Sequence, residues 1–531
     1  MNEDTNMNSN KINRETVIYI LILFYIIPLS IILFVNMFSS LFQTTYTELY
    51  LDTERPSYKA DSPILLLLLT FVFILILGFY LKKHKVVKET AIVFEKTALI
   101  FSVVICFFGI FLFRVAPTTD GASVSRIAAD FLNGSYGSFL NNDYLFIYSH
   151  QLSMVAYMEL VYYIFGAGNY IVLQFLNLIA VFFVIYFLHR ITQQLFNNYE
   201  IQVILSILCI GMLSLYLYVP YIYGDIPGIG FAVPAIYCVM KYLRTRKKLL
   251  LLPSFFCIAF SILLKSNNYV ILVASIIILI LHLIKEKDMF ALVFAVVLLL
   301  GPVVITSCIN TAYAKAADIE EIPDGIPKIG WVAMGLQEND YLENGWFNNY
   351  HCTIYEACDF DTAKTKEACM ESIKQSLYNF ISSPRNGVRF FYQKFVSQWN
   401  DPGFQSQLNL EWGSRRTENK SSLAMYFIYG NGRTIMEGIM NIYHFIILLG
   451  AVVGVAISYR KTSQSFALIA LCVFGGYFFH MFWEAKGRYG LEYFLLCVPM
   501  AAYGIWKLAK VMQKLQDIWH KIYTKGGKTL A

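Results

Sequence analysis

The groups with most chemistry to offer in this 531-residue chain are charged side chains in short loops between apolar runs. Lys265 sits in Leu-Lys-Ser-Asn-Asn, and Lys486 and Arg488 sit in Trp-Glu-Ala-Lys-Gly-Arg-Tyr. Arg114 closes another apolar run. Three carboxylates hold comparable places: Asp120 in Ala-Pro-Thr-Thr-Asp-Gly, Asp225 in Tyr-Gly-Asp-Ile-Pro, and Glu484 just ahead of Lys486. Cations at a membrane edge suit an anion at headgroup depth, and a phosphate is the natural one, with Arg able to bind it bidentately. A carboxylate in a partly dehydrated site can act as general base on a hydroxyl. It can also hold a divalent cation, Mg or Mn, through oxygen ligands. Each residue has a plainer reading as a headgroup contact, a snorkelling chain, an ion pair or a helix cap. Their shared position at span ends is what points to one pocket. Such a pocket suits a sugar on a lipid phosphate: cations neutralise the leaving phosphate and a base takes the acceptor proton. Tyr148, His150, Tyr144 and the tryptophans 331, 346, 399 and 412 are available to stack on sugar faces or line a lipid groove.

The elements that must hold these groups are membrane spans. The chain is 57 % hydrophobic and only 15 % charged, with a mean hydropathy of +0.53, against roughly 25 % charged residues in a soluble domain. A run of about 20 apolar residues crosses the hydrocarbon core as a helix. Such runs occur at 16–38, 63–81, 97–115, 168–188, 202–219, 229–243, 248–264, 269–285, 289–309, 436–458, 464–482 and 490–508. The expected fold is therefore an all-α polytopic membrane protein of about twelve helices. The run at 16–38 is too long for a cleaved signal and is read as a retained span. The basic loops hold Lys82, Lys83, Lys85 and Lys88, then Arg190, Arg244, Arg246, Lys247, Lys248, Lys285, Lys287, Arg460 and Lys461. With the tail lysines 510, 514, 521, 525 and 528 they all fall on one side of alternating spans, which makes that side, and both termini, cytoplasmic. Arg114, Lys265, Lys486 and Arg488 run against that bias.

Three regions follow: 1–309 with a first outward loop at 116–167, an extracytoplasmic segment of mixed structure at 310–435, and C-terminal spans with a basic tail at 436–531. Helices are expected at 361–381 and 388–399, and the stretch 150–165 reads as an interfacial helix. Cys352, Cys358 and Cys369 leave two options: one disulfide in an oxidising exterior, or free thiols. Six of the remaining seven, Cys106, Cys209, Cys238, Cys257, Cys472 and Cys497, lie in apolar runs and read as core thiols. A net charge of +6 gives no case for nucleic acid. A lipid-linked sugar flippase or transporter would place its ionisable groups near the bilayer midplane, whereas these cluster at span ends. A polysaccharide polymerase or ligase would also act outside on lipid-linked substrates.

The order of these motifs resembles the GT-C superfamily of polyprenyl-phosphate-sugar-dependent glycosyltransferases, in particular the bacterial family-39-like relatives of protein mannosyltransferases and aminoarabinose transferases. The resemblance runs through Asp120 and Ala-Asp-Phe-Leu-Asn-Gly-Ser-Tyr (129–136), Tyr-Ser-His-Gln (148–151) leading to Phe-Gly (165–166), Tyr-Gly-Asp-Ile-Pro (223–227), Leu-Lys-Ser-Asn (264–267) and Trp-Glu-Ala-Lys-Gly-Arg-Tyr (483–489). The long loop with Met334-Gly335, Gly345-Trp346-Phe347-Asn348 and residues 394–399 is similar to that of Gram-positive members, which implies the plasma membrane of such a bacterium. The resemblance implies a GT-C-like bundle, a polyprenyl-phosphate-linked sugar as donor, and inverting transfer to a cell-envelope glycan, teichoic acid or similar acceptor on the outer face. It implies Asp120 at the catalytic centre, with a divalent cation there left open. It implies Lys265, Arg488 and Lys486 on the donor phosphate, and Asp225, Glu484, Tyr148 and His150 about the sugar or acceptor. The family often carries an acidic pair in this first loop; here Gly121 follows Asp120, which weakens a protein acceptor.

Overall fold

The computed structural model describes residues 2–526 apart from 51–52, 141, 340–342, 419 and 459–462. Arg460, Lys461 and Lys528 therefore lie outside the described residues, as do the side chains of Lys521 and Lys525. Among the described residues ten helices are long and apolar enough to cross a bilayer: Glu15–Phe42, Pro63–Lys83, Lys88–Phe113, Tyr170–Phe196, Asp225–Thr245, Ser266–Glu286, Met289–Ala316, Asn431–Ser458, Gln464–Phe482 and Gly487–Ile518. The two remaining runs of the expected twelve are shorter apolar helices, Tyr199–Ile210 and Lys248–Leu264, which fall below that length. The spans turn large apolar side chains outward, among them Phe24, Ile64 and Ile100. Water would oppose so much exposed apolar surface, and a lipid solvent accepts it. The chain is an all-α polytopic membrane protein.

Two boundaries differ from the apolar runs for a physical reason. The third span starts at Lys88 rather than 97, because Glu95 pairs with Arg190 of the neighbouring helix and the charged first turns stay helical. The run at 202–219 is not one helix. It stops at Ile210, resumes for Leu213–Leu217, and then runs irregularly to Gly224. That irregular backbone is buried, so its carbonyls need partners at a depth where lipid supplies none. Two buried amides of Tyr170–Phe196 serve it: Gln174 Nε2 donates to Pro220 O (2.9 Å) as well as to Val115 O after the third span (2.9 Å), and Asn177 Nδ2 donates to Val219 O (3.0 Å) and Tyr221 O (2.9 Å). The unwound stretch carries Tyr218, Tyr221 and Tyr223 to the same end of the bundle as the outward loops.

That end is built by several segments. The first, not anticipated from the sequence, is a hairpin between the first two spans, β1 (Gln43–Tyr50) and β2 (Thr53–Ala60), antiparallel with Gln43 opposite Ala60 and Glu48 opposite Arg55. Its Thr/Tyr-rich alternation suits a strand, and Thr44, Thr45 and Thr47 are buried. The segment at 310–435 is helical rather than mixed where it is described. Its helices include Ile329–Gly335, Tyr350–Ala357, Thr362–Ser382, Pro384–Trp399 and Ser406–Arg415. Asp361 caps Thr362–Ser382 by accepting from Ala363 N and Lys364 N, at 2.9 and 3.0 Å. The next helix starts at Pro384 rather than 388, with its proline in the first turn, where no amide is needed. Leu152–Phe165 is a separate 14-residue helix with one buried face and with Leu160, Tyr163 and Ile164 exposed on the other. At about 1.5 Å per residue it is too short to span, as an interfacial helix should be.

The opposite end is tied by ordinary ion pairs, Lys82–Asp517 (2.6 Å), Arg246–Glu286 (2.5 Å) and Lys510–Glu200 (2.9 Å). All ten cysteines are free, so the disulfide considered among Cys352, Cys358 and Cys369 is not formed. Cys352 Sγ lies 2.8 Å from the Tyr148 hydroxyl instead, and Cys369 is buried beside Gly330.

Candidate active site

Asp120 lies in the first turn of Thr119–Leu132, the helix that follows the third span. Thr119 ahead of it has a φ of 47°, a left-handed value that a β-branched residue adopts only under constraint. Gly121 behind it packs on the unwound tyrosine segment, and a Cβ there would collide with the Ile222 carbonyl oxygen. No second acidic side chain fits at 121, so Asp120 has no acidic neighbour in sequence. Tyr144 lines the same cavity as Asp120.

Gly224 makes a second close approach. A Cβ there would overlap the Leu264 carbonyl, so glycine lets the start of Asp225–Thr245 meet the end of Lys248–Leu264. The approach closes an ion pair of 2.7 Å between Asp225 and Lys265. Asp225 is buried behind Lys265 rather than facing open space. Lys265 and Arg488 share two aromatic rings: the Lys265 ammonium lies 5.1 Å from Tyr223 and 5.0 Å from Tyr489, and the Arg488 guanidinium 5.4 and 5.5 Å from the same rings. Such contacts favour a desolvated cation. Arg488 Nη1 donates to Tyr221 Oη at 2.7 Å, and among the described residues no carboxylate pairs with it. Lys486 lies 3.4 Å from Glu54 and 3.6 Å from Glu484.

These groups face one cavity of about 290 Å³. Asp120, Tyr148, His150, Lys265, Glu484, Lys486 and Arg488 all line it. Of the eight site residues expected from sequence only Asp225 does not, because it stands behind Lys265. Arg114 is placed elsewhere: it ends the helix Lys88–Phe113, and its carbonyl accepts from Thr417 Oγ1 at 2.7 Å. One wall is aromatic and centred on Trp331. His351 lies 4.7 Å from it, His150 5.2 Å edge-on, and Trp483 6.0 Å and nearly parallel at 4°.

The charges are set by burial and by one another. Burial pushes the Lys265 ammonium down and Arg488 adds to this, against the pull of Asp225. Burial also acts to lower Lys486, but Glu54 and Glu484 outweigh it and hold that ammonium above its ordinary value. Glu484 is pushed up by burial against Lys486 and Arg488. Glu54 goes the other way: Lys486, Arg488 and a bond from Gln405 overcome burial and hold its carboxyl below the usual range. Buried His351 is lowered to about 4 by burial, then by His150 and Lys486.

The loop 483–489 is fixed from the outer segment by Lys394. This buried lysine of Pro384–Trp399 donates to Gly335 O (2.5 Å), Met481 O (3.0 Å) and Trp483 O (2.7 Å). Burial lowers it to about 7, with Glu484 opposing. Ala485 N donates to Gly345 O at 2.8 Å, which forms an isolated β-bridge, Trp346–Ala485. Asp401, also buried, accepts from Gly403 N (2.9 Å), Gln405 N (3.0 Å) and Thr47 Oγ1 (3.2 Å), and so ties the hairpin to the turn beside Arg488.

Sequence reasoning missed Glu54, Lys328, Lys394 and Asp401. Glu54 lies in a polar hairpin between two spans, and Lys328, Lys394 and Asp401 sit in a polar segment where charge is ordinary. Among the described residues no group of three or more His, Cys, Asp or Glu is gathered to hold a metal ion. A divalent cation at Asp120 would have one protein carboxylate there, so most of its ligands would have to come from a bound anion and water. No family model matches the chain, and no curated protein matches it.

Proposed function

We propose that this protein is an integral-membrane glycosyltransferase of GT-C type. It moves a sugar from a polyprenyl-phosphate donor to a hydroxyl of a cell-envelope glycan, teichoic acid or similar acceptor. The reaction takes place on the extracytoplasmic face of the plasma membrane, and both termini are cytoplasmic. The observation that carries this reading is the convergence of the Asp120 carboxylate with Lys265, Lys486 and Arg488 in a single cavity at one end of the spans.

In this mechanism the acceptor hydroxyl gives its proton to the Asp120 carboxylate as its oxygen bonds to the anomeric carbon. The bond from that carbon to the phosphate oxygen breaks on the opposite side, its electron pair leaves with the phosphate, and the configuration inverts. Lys265, Lys486 and Arg488 neutralise the departing charge. Cations fixed in a partly dry site act more strongly there than in water. Asp225 and Glu484 hold two of these cations in place, and the aromatic wall of Tyr148, His150 and Trp331 offers faces to the sugar.

The test is reconstitution in lipid nanodiscs with a radiolabelled polyprenyl-phosphate sugar and an envelope glycan acceptor. The expected product is a glycosylated acceptor whose new linkage has the opposite anomeric configuration by NMR. Movement of the intact donor across proteoliposomes without product would instead favour a flippase, and would overturn the reading.

A further inference from the structure

The hairpin brings an unexpected anion into the cation cluster. The Glu54 side chain, from β2, is 16 % exposed and lies 3.4 Å from Lys486. It accepts from Gln405 Nε2 at 3.2 Å, and the same Gln405 accepts from Arg488 N through Oε1 at 3.4 Å. Gln405 is itself fixed through its amide to Asp401. Glu54 is thus aimed by a relay from a rigid turn.

Lys486 has a carboxylate without it. Glu484, 3.6 Å away, is buried and accepts from Tyr489 Oη at 3.2 Å. Two carboxylates therefore converge on one lysine, and like charges at such a site repel. Of the two, Glu484 is locked within the loop and Glu54 reaches in from outside. The base of the hairpin does not have to move for Glu54 to leave. Thr45 N donates to Asn400 O (3.0 Å), Thr45 Oγ1 to Val396 O (2.9 Å), and Asn400 Nδ2 to Gln43 O (2.9 Å). Rotation of the Glu54 side chain alone would free the lysine.

We propose that Glu54 is a built-in competitor for the anion subsite: its carboxylate rests on the cation that an incoming phosphate takes, and it sets the affinity of that subsite. This rests on the phosphate reading of Lys265, Lys486 and Arg488 given above. The opposed effects of Lys486 and Arg488 on one side and burial on the other leave Glu54 ionised at neutral pH, so it competes as a charge and not only as a hydrogen-bond acceptor.

The experiment titrates farnesyl monophosphate into the full chain in nanodiscs of zwitterionic lipid, with farnesol as the uncharged control. Wild type, Glu54→Gln and Glu54→Asp are compared by calorimetry. Glu54→Gln keeps an acceptor for Gln405 and removes the charge. It should bind farnesyl phosphate about tenfold tighter than wild type, as expected for loss of one nearby like charge, with farnesol binding unchanged. Glu54→Asp, a methylene shorter, should tighten binding by a smaller factor, and it carries the test alone should the glutamine variant misfold. Unchanged or weaker phosphate binding in the folded variants, beside wild type that prefers the phosphate to farnesol, overturns this proposal and leaves the functional reading standing. Equal binding of phosphate and alcohol by wild type and variants overturns both.

Discussion

Two cavities of similar size lie back to back at one end of this molecule, one of about 290 Å³ and one of about 230 Å³. The layer between them includes a stacked pair: Tyr489 lines the first, His480 lines the second, and their rings lie 5.3 Å apart at 21°. The first is walled by loops and holds four cations and three carboxylates. The second is walled by helices, with Ile31, Ile32 and Val35 of the first span facing Phe391, Phe395 and Trp399. Its few polar side chains do not pair with a charge; Lys394 spends its three protons on backbone carbonyls. Helix surfaces alone give an apolar space. Charge collects only where glycine-led close approaches and an unwound segment bring several loops to one point.

That contrast can be broken by substitution. Arg488→Met removes the cation that no described carboxylate balances, and should lower kcat/KM for sugar transfer about a thousandfold, the scale of losing a charge aimed at the leaving group. Gln398→Leu, on the wall of the apolar cavity, should leave the same constant within about twofold. Comparable losses in both assays would erase the distinction between the cavities.

The boundary between them is sharpened by Lys394. Replacing it by Met strands the Gly335, Met481 and Trp483 carbonyls, and a buried charged partner of this kind is worth about 3 kcal/mol. Thermal unfolding in nanodiscs should show a lower midpoint, with the loop 483–489 the first region to gain hydrogen exchange.

A separate effect, on the pH dependence of stability, concerns Asp401. Burial pushes its carboxyl up to about 7 from an ordinary 3.8, against its backbone and Thr47 donors. Between these values the folded protein keeps a proton that the unfolded chain releases. The stabilisation is fully present below about 3.8 and is lost as pH rises through about 7. The midpoint of wild type should fall over that window, and that of Asp401→Asn, which cannot ionise, should change less. An equal pH dependence in the two proteins would remove Asp401 from the account.

The spans were legible because a lipid solvent demands long apolar runs whatever else the chain does. Lys265, Lys486 and Arg488 were legible for the converse reason: a cation in a short outward loop stands against the charge bias of the other loops. Asp120 and Asp225 were found as carboxylates at span ends, but Asp225 turned out to be the partner of Lys265, a fact that depends on Gly224 meeting Leu264. The break after Ile210 was hidden because its residues are as apolar as the helix they interrupt, and only Gln174 and Asn177 on another span make it affordable. Glu54 was hidden because a hairpin between two spans has no apolar run to draw attention. Lys394 and Asp401 were hidden among the many charges of the outer segment, since burial of two of them is decided by packing that no local pattern records.

The central claim is that Asp120 acts as base beside a cation-held phosphate. It is tested most directly by Asp120→Asn in the reconstituted transfer assay, with farnesyl phosphate binding measured on the same sample. The expected result is loss of transfer by about a thousandfold or more with phosphate binding and the unfolding midpoint retained. Near-normal transfer by a folded Asp120→Asn protein would contradict the account.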